Sequence, residues 1–424
     1  MTPATPPSRH LDVAIIGGGV IGLFCAYYLK NEGFDVCVLE RERVGAGASH
    51  GNCGLLVPSA VVPLCAPGAV GGALSMMGKP QSALMIRPGL TPRRYKWLLD
   101  FAGHCTARHV SHAAAVRHAL LTRSKALYDK FLQLYSLLCD QGSRGALHVY
   151  KHANRINDIE AHRGLLERYG VYTRTVDQNH LRQMAPKLAA DVSGAWFHPD
   201  DRHLRPDKLL AELKRLLNGS GAHVIENSPV TDFDTTGRAV TRIRVGHKTY
   251  DARQVVLAAG AWSPEISRKL GCSLPIEPGK GYSLTFDGCA PPIDRPCFLV
   301  EAGVVYTPFK NGFRIGGLLD FAGMDQRLTP AALEKLRRAM AAYLGPLPGG
   351  IVPETWAGPR PMVYDELPII GRMPGVENLW IASGHGKLGI SMGPATGEAI
   401  ADLIAGRTPR VNLAGTRPTR FQGG

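Results

Sequence analysis

The sequence has no CxxC pair, and its nine cysteines are an odd number in 424 residues. Neither a disulfide framework nor a zinc knuckle organises such a chain. Reduced thiols in the cytoplasm are the expected state. Aromatic residues make up only 7% and no nucleic-acid-binding motif lies among the basic runs, so a net charge of +14 does not indicate a DNA or RNA module. Met1–His10 holds Pro and Thr but no apolar stretch, and does not read as a secretory signal. An uninterrupted membrane-spanning run is also missing. Val13–Leu29 comes nearest with 17 residues, but Gly17, Gly18, Gly19 and Gly22 break it into strand, turn and helix. No Ser/His/Asp, Cys/His, paired-carboxylate or metal-spaced His constellation stands out, so hydrolytic and metal chemistry are not expected.

The chain does have 45% hydrophobic residues, enough for large cores in two or three domains. Its charge is uneven. Between Arg87 and Lys125 eight Lys and Arg face Asp100 alone, which predicts either a solvated basic face or a contact with anionic lipid. Further on, Leu127, Phe131, Leu134 and Leu138 recur at helical spacing and predict a core-facing stripe.

Leu11–Ile16 reads as a buried parallel strand and runs directly into Gly17-Gly18-Gly19-Val20-Ile21-Gly22, followed by a helix over Val20–Glu32 and a strand over Phe34–Leu39. Glu40 closes the unit, 18 residues after Gly22. Gly17 permits the turn, Gly19 admits a pyrophosphate at the helix N-terminus, Gly22 lets helix and strand approach, and Glu40 can accept from ribose hydroxyls. A second GxGxxG, Gly384–Gly389, also lies between a strand (Leu379–Ser383) and a helix (Ser391–Ala405). The tail after it has no second strand ending in an acid, so a separate NAD unit does not fit. Both motifs, with the small-residue run Gly45–Leu55, suit one extended flavin dinucleotide.

These segments, together with Val255–Ser263, Pro278–Leu284, Gly316-Gly317, Asp320–Gly323, and Gly358-Pro359-Arg360-Pro361 with Asp365, Pro368 and Gly371, resemble the D-amino acid oxidase-type (DAO) family of FAD-dependent oxidoreductases. Within it they are most similar to the bacterial D-amino acid dehydrogenases. The resemblance implies an α/β fold: a Rossmann-like FAD-binding domain, with an inserted α+β substrate domain containing an antiparallel sheet. The expected segmentation is 1–90, 200–275 and 355–424 for FAD, and 91–199 and 276–354 for substrate.

It further implies non-covalent FAD. Gly17, Gly19 and Gly22 would hold its pyrophosphate and Glu40 its ribose, with Val20, Ile21 and Arg41 beside them. Ser49, Asn52, Gly54 and Leu55 would line the stretch towards the flavin, and Val230 would meet the adenine. Ala259, Gly260 and Trp262 would close over the phosphates. Gly386, Lys387, Leu388, Gly389 and Ile390 would approach the flavin ring. His50 lies one position off the pattern for covalent attachment.

For the substrate, Arg360 stands where the family has its carboxylate clamp; the alternative is a structural arginine pairing with Asp365 or capping backbone carbonyls. Tyr282 either donates to substrate or packs in the core. Lys387 contacts flavin or a substrate carboxylate, or is solvated. The implied reaction is oxidation of an amino acid, primary or cyclic secondary, to an imine by hydride transfer, with a quinone or other respiratory acceptor. An oxygen-using oxidase of the glycine or sarcosine type, and a non-catalytic flavoprotein subunit, remain the alternatives.

Overall fold

The computed structural model describes residues 9–76, 82–86, 91–160, 162–346, 351 and 353–422. The apolar run that opens the chain becomes the strand Arg9–Ile16 and the helix Val20–Asn31, joined by the glycine turn. Hydrogen bonding sets that strand parallel between Lys248–Leu257 and Val36–Leu39; His223–Ile225 extends one edge in parallel, and Leu379–Ser383 pairs in parallel with Lys248–Leu257. Strands buried on both faces need continuous apolar runs, and Val13–Ile16, Val36–Leu39 and Val255–Leu257 supply them.

The helices Val20–Asn31 and Gly389–Ile404 cross on this sheet at very short range. A Cβ on Gly397 would lie 2.6 Å from the Phe24 backbone, so the two helices touch backbone to backbone. Their Phe24 ring meets Tyr128 and Phe131 of the long helix Ala107–Tyr135.

The second sheet has nine strands among the described residues and is mostly antiparallel. Its longest strand, Ile276–Asp287, lies next to one edge and pairs with Gly312–Phe321 on one side and, over ten residue pairs, with the edge strand Glu354–Val363 on the other. One face packs on the helix Pro330–Leu344 through Leu284, Phe286, Ile315, Leu336 and Met340. The opposite face is turned towards the parallel sheet. Thr307 Oγ1 there donates to Cys53 O (2.8 Å), and Arg314 Nη1 to His50 O and Asn52 O (2.7 Å each).

Two expectations change. The stripe Leu127–Leu138 is core only in its first half: Leu127 and Phe131 are buried, whereas Leu134 and Leu138 are 70% and 83% exposed. The helix stops at Tyr135 with Ser136 in the left-handed region (φ 47°), so Leu138 is past its end, and Leu134 lies in its last turn, beyond the last buried residue, Leu132.

The basic run is not a patch in space. Arg94 pairs with Glu277 (2.5 Å), Arg117 with Glu366 (3.3 Å) and Arg123 with Glu398 (2.5 Å), while Arg93 donates to Leu274 O and Ile276 O. Lys96 meets Asp100, and Lys125 lies 3.9 Å from both Asp129 and Asp200. Arg87 falls outside the described residues. No described helix is long and apolar enough to cross a membrane.

Candidate active site

At the C-terminal ends of the parallel strands, where ligands of open α/β sheets bind, a cleft encloses about 1190 Å³, open solvent included. Gly17, with φ +112°, makes the turn that a side chain would strain; an added Cβ would also stand 2.6 Å from Ala258 O. The helix that follows has no side-chain cap of its own on Gly19. Ser49, from the small-residue run, supplies one: its Oγ accepts from Val20 N–H (3.1 Å). The first amide to bond within the helix is Leu23 N, to Gly19 O. The intervening amides leave the positive end of the helix dipole facing the cleft, the arrangement that suits a pyrophosphate.

Gly17, Gly19, Val20 and Ile21 line this end. Glu40 lines it beside them, its oxygens accepting from Gly18 N (2.6 Å) and Glu42 N (2.9 Å). Arg41 lies 4.3 Å over the Trp262 ring, and both face the cleft with Val230. Ser49, Asn52, Ala259 and Gly260 form the middle; Gly386, Gly389 and Ile390, at the start of the C-terminal helix, form the far end.

Five of the expected cofactor residues, Gly22, Gly54, Leu55, Lys387 and Leu388, are not part of this lining. Gly22 sits beneath, where a Cβ would be 1.9 Å from Gly17 O. Gly54 turns against Leu204 O, Leu55 pairs with His203, and Leu388 lines a separate cavity. Pro359, Pro361 and His385, none of them among the expected cofactor residues, also line the cleft. Burial pushes His385 down to about 3, so its ring is neutral; Nε2 meets Thr396 Oγ1 (2.9 Å), whereas Nδ1 is buried without a partner. An orphaned polar atom beside a glycine cradle fits a dinucleotide whose ring end lies there. FAD would be held by these residues.

The antiparallel sheet provides the other wall. Trp356, Ser283, Gly316, Val305, Phe298, His148 and Trp196 are successive partners across its strands, so they share one face, the one that meets Gly51 and Cys53 through Trp356 and Gly316. Ser283 Oγ and Trp196 Nε1 are buried on it without hydrogen-bond partners. Alternation puts Tyr282 on the opposite face. Its hydroxyl meets Asp320 and Thr329 (3.1 Å each) inside the core, so the expected catalytic tyrosine is a packing residue.

Arg360 is on the same face as Ser283 and Trp356. Its Nη1 donates to Leu318 O (2.6 Å) and Nη2 to Gly317 O (3.3 Å), so it does cap backbone carbonyls, as the structural alternative expected. The alternative partner Asp365 is taken by Arg420 (2.8 Å), and no ion pair of Arg360 is found among the described residues. Burial lowers its pKa, Cys53 opposing, but a guanidinium remains a cation.

Lys387 lines a smaller cavity of about 270 Å³ with Arg117, Glu366 and His385. It is open to solvent there although protein groups crowd its ammonium. Burial pushes its pKa down; Glu366 raises it, and Arg117 and Arg360 lower it further. His50 is engaged by Glu354 (2.6 Å).

His198 and His203 end up on strands (Gly194–His198 and Arg202–His203) rather than in a loop, and no group of three or more His, Cys, Asp or Glu among the described residues could hold a metal ion. Asp201 between them is buried. Burial raises its pKa to about 7, against Ser59, which donates from Oγ (2.7 Å) and N (3.2 Å).

The native chain therefore holds a proton that an unfolded aspartate releases near pH ~4, and this stabilisation is lost as pH rises towards 7. Burial pushes His198 and His203 down to about 4, and they act in the opposite sense at acidic pH. The expected result is therefore a difference: the stability of wild type minus that of Asp201→Asn falls by ~2 kcal/mol between about pH 5.5 and about pH 8, measured by urea unfolding. A flat difference contradicts it.

A family model described as FAD dependent oxidoreductase (DAO) matches residues 12–403, and the chain belongs to that family. It is an FAD-dependent oxidoreductase. Among proteins it resembles are the D-amino acid dehydrogenases of Paramagnetospirillum magneticum, 30% identical over 97% of this chain and 99% of that protein, and of Granulibacter bethesdensis, 29% identical over 97% and 100%. Solved structures sharing the fold include glycine oxidase from Geobacillus kaustophilus (TM-score 0.78, 22% identity, 98% of this chain and 100% of that one) and L-proline dehydrogenase from P. horikoshii (0.76, 20%, 98% and 99%).

Proposed function

We propose that this protein is a dehydrogenase that oxidises a D-amino acid, either primary or a cyclic secondary amine such as D-proline or a hydroxyproline epimer, using non-covalent FAD. Arg360 is the observation that carries the reading. A guanidinium shielded from water, with no carboxylate partner among the described residues and on the sheet face that meets Gly51 and Cys53 beside the cleft, suits a small anionic substrate. The full-length similarity to D-amino acid dehydrogenases supports the substrate class. The engagement of His50 by Glu354 is consistent with non-covalent cofactor.

In this reading Arg360 fixes the carboxylate and Lys387 adds positive charge to the same side. The sheet face and the Pro359–Pro361 wall exclude water and orient Cα–H. FAD, when bound, supplies the two-electron acceptor for the Cα hydride. The nitrogen gives its proton to solvent, and water hydrolyses the imine. No acid–base side chain is required, since orientation carries the step.

A quinone or other respiratory acceptor would take the electrons, with the protein resting on the inner membrane face. The helix Ala69–Met76 supports that contact: it has no buried residue, and Leu74 in it is 63% exposed; Leu99, in the helix Pro92–His104, is 72% exposed. Substrate-reduced enzyme is expected to reoxidise faster with a ubiquinone analogue than with air, and to sediment with anionic vesicles at low salt unless Leu74 and Leu99 are both changed to Glu. Faster reoxidation by air would favour the oxidase alternative; failure to sediment would remove the membrane contact alone.

A further inference from the structure

The strands Ile276–Asp287 and Gly312–Phe321 do not pair evenly. Lys280 faces Asp320 and Tyr282 faces Gly317, so Gly281 alone opposes both Leu318 and Leu319. The extra residue makes a β-bulge. Leu318 takes the strain: its φ is +61°, in the left-handed region that a leucine rarely occupies, and it is 95% buried, with 5% of its surface exposed. Leu319 N turns away to Ala83 O (2.8 Å). The consecutive carbonyls of Gly317 and Leu318 turn the other way, onto the Arg360 guanidinium. Beneath it Gly281 has no side chain, and a Cβ there would stand 2.1 Å from Arg360 Nη2.

A guanidinium has five N–H donors in a rigid plane. Two are spent on the bulge carbonyls, and the plane lies flat on Gly281. What remains free is a fixed set of donors rather than a swinging side chain. We propose that the bulge at Leu318, with Gly281, is the device that sets Arg360 for a carboxylate, making Leu318 and Gly281 positioning residues for substrate recognition. The inference rests on the reading of Arg360 as the carboxylate site. It explains why a strained leucine persists there: regular pairing would return the Leu318 carbonyl to the ladder and release the guanidinium.

Leu318→Ile tests the backbone alone, because isoleucine keeps the volume but its β-branch is far less tolerant of positive φ. Leu318→Met is the conservative partner, unbranched at Cβ. Gly281→Ala acts from below; the atoms it would strike are the end of a flexible side chain, so it moves the guanidinium rather than unfolding the sheet, and it carries the test if Leu318→Ile does not fold.

The readouts are the affinity of propionate, followed by the change in flavin absorbance, and the division of any kinetic effect between KM and kcat. Leu318→Ile and Gly281→Ala are expected to weaken propionate and raise KM at least ~10-fold, with kcat changing less than ~3-fold. Leu318→Met stays within ~2-fold, and Leu318→Ile adds nothing in an Arg360→Lys background. If Arg360→Lys loses propionate while Leu318→Ile and Gly281→Ala bind it as wild type does, the positioning role is overturned and the carboxylate site stands. If Arg360→Lys itself binds propionate normally, the functional reading fails and this inference with it.

Discussion

Arg360→Met is expected to lower kcat/KM for the amino-acid substrate by ~30- to ~4000-fold, the range that follows from losing about 2–5 kcal/mol when one member of a desolvated, hydrogen-bonded charge pair is removed. Methionine retains the apolar stem and removes the charge, so the loss reports the guanidinium and not the packing. The fall is expected largely in KM, with FAD content unchanged, because Arg360 is not part of the cleft lining that cradles the dinucleotide. Arg360→Lys should recover only a small part, since an ammonium cannot reproduce the planar fork. Steady-state kinetics with an artificial acceptor, beside the flavin-to-protein ratio, check both statements. A value of kcat/KM within ~3-fold of wild type for Arg360→Met would remove the clamp.

The second large effect lies under the cofactor. Gly22→Ala places a methyl 1.9 Å from Gly17 O and 3.1 Å from Gly17 C. Both are backbone atoms of the turn that forms the cradle, so no rotamer change relieves the clash, and helix and turn must part. Overpacking of this kind costs 1–3 kcal/mol or more. The expected product is largely apoprotein, with a flavin-to-protein ratio below ~0.1 and a lower Tm. Gly219→Ala, at a helix end with nothing within 4 Å of the new methyl, is the control and should keep its flavin. Full flavin in Gly22→Ala would mean that the turn does not form the cradle.

The local parts of this architecture were legible because each is written in contiguous residues. The strand, glycine turn, helix and acid of residues 11–40 need only periodicity and punctuation, and the strand and helix around Gly384–Gly389 likewise. Arg360 was singled out through the family resemblance of its Gly-Pro-Arg-Pro segment, and its role as a clamp is the proposal made above. Residues whose roles depend on distant partners were not.

Tyr282 sits one position from Ser283 and Gly281, and only the register with Gly317 and Ala357 decides which of them looks into the cleft. The basic run looked like a surface because the acids that neutralise it, Glu277, Glu366 and Glu398, are 183, 249 and 275 residues away. The bulge at Leu318 has no signal in its own sequence. It shows only in the register of Lys280 with Asp320 and Tyr282 with Gly317.

The measurement that tests the central claim most directly is anaerobic mixing of the purified, flavin-loaded protein with the D and L forms of alanine and proline, watching the visible flavin absorbance. The account predicts bleaching by at least one D form, with its L form much slower, and loss of that bleaching in Arg360→Met at the same substrate concentration. Flavin that no amino acid reduces, or that Arg360→Met reduces as fast as wild type, would contradict it.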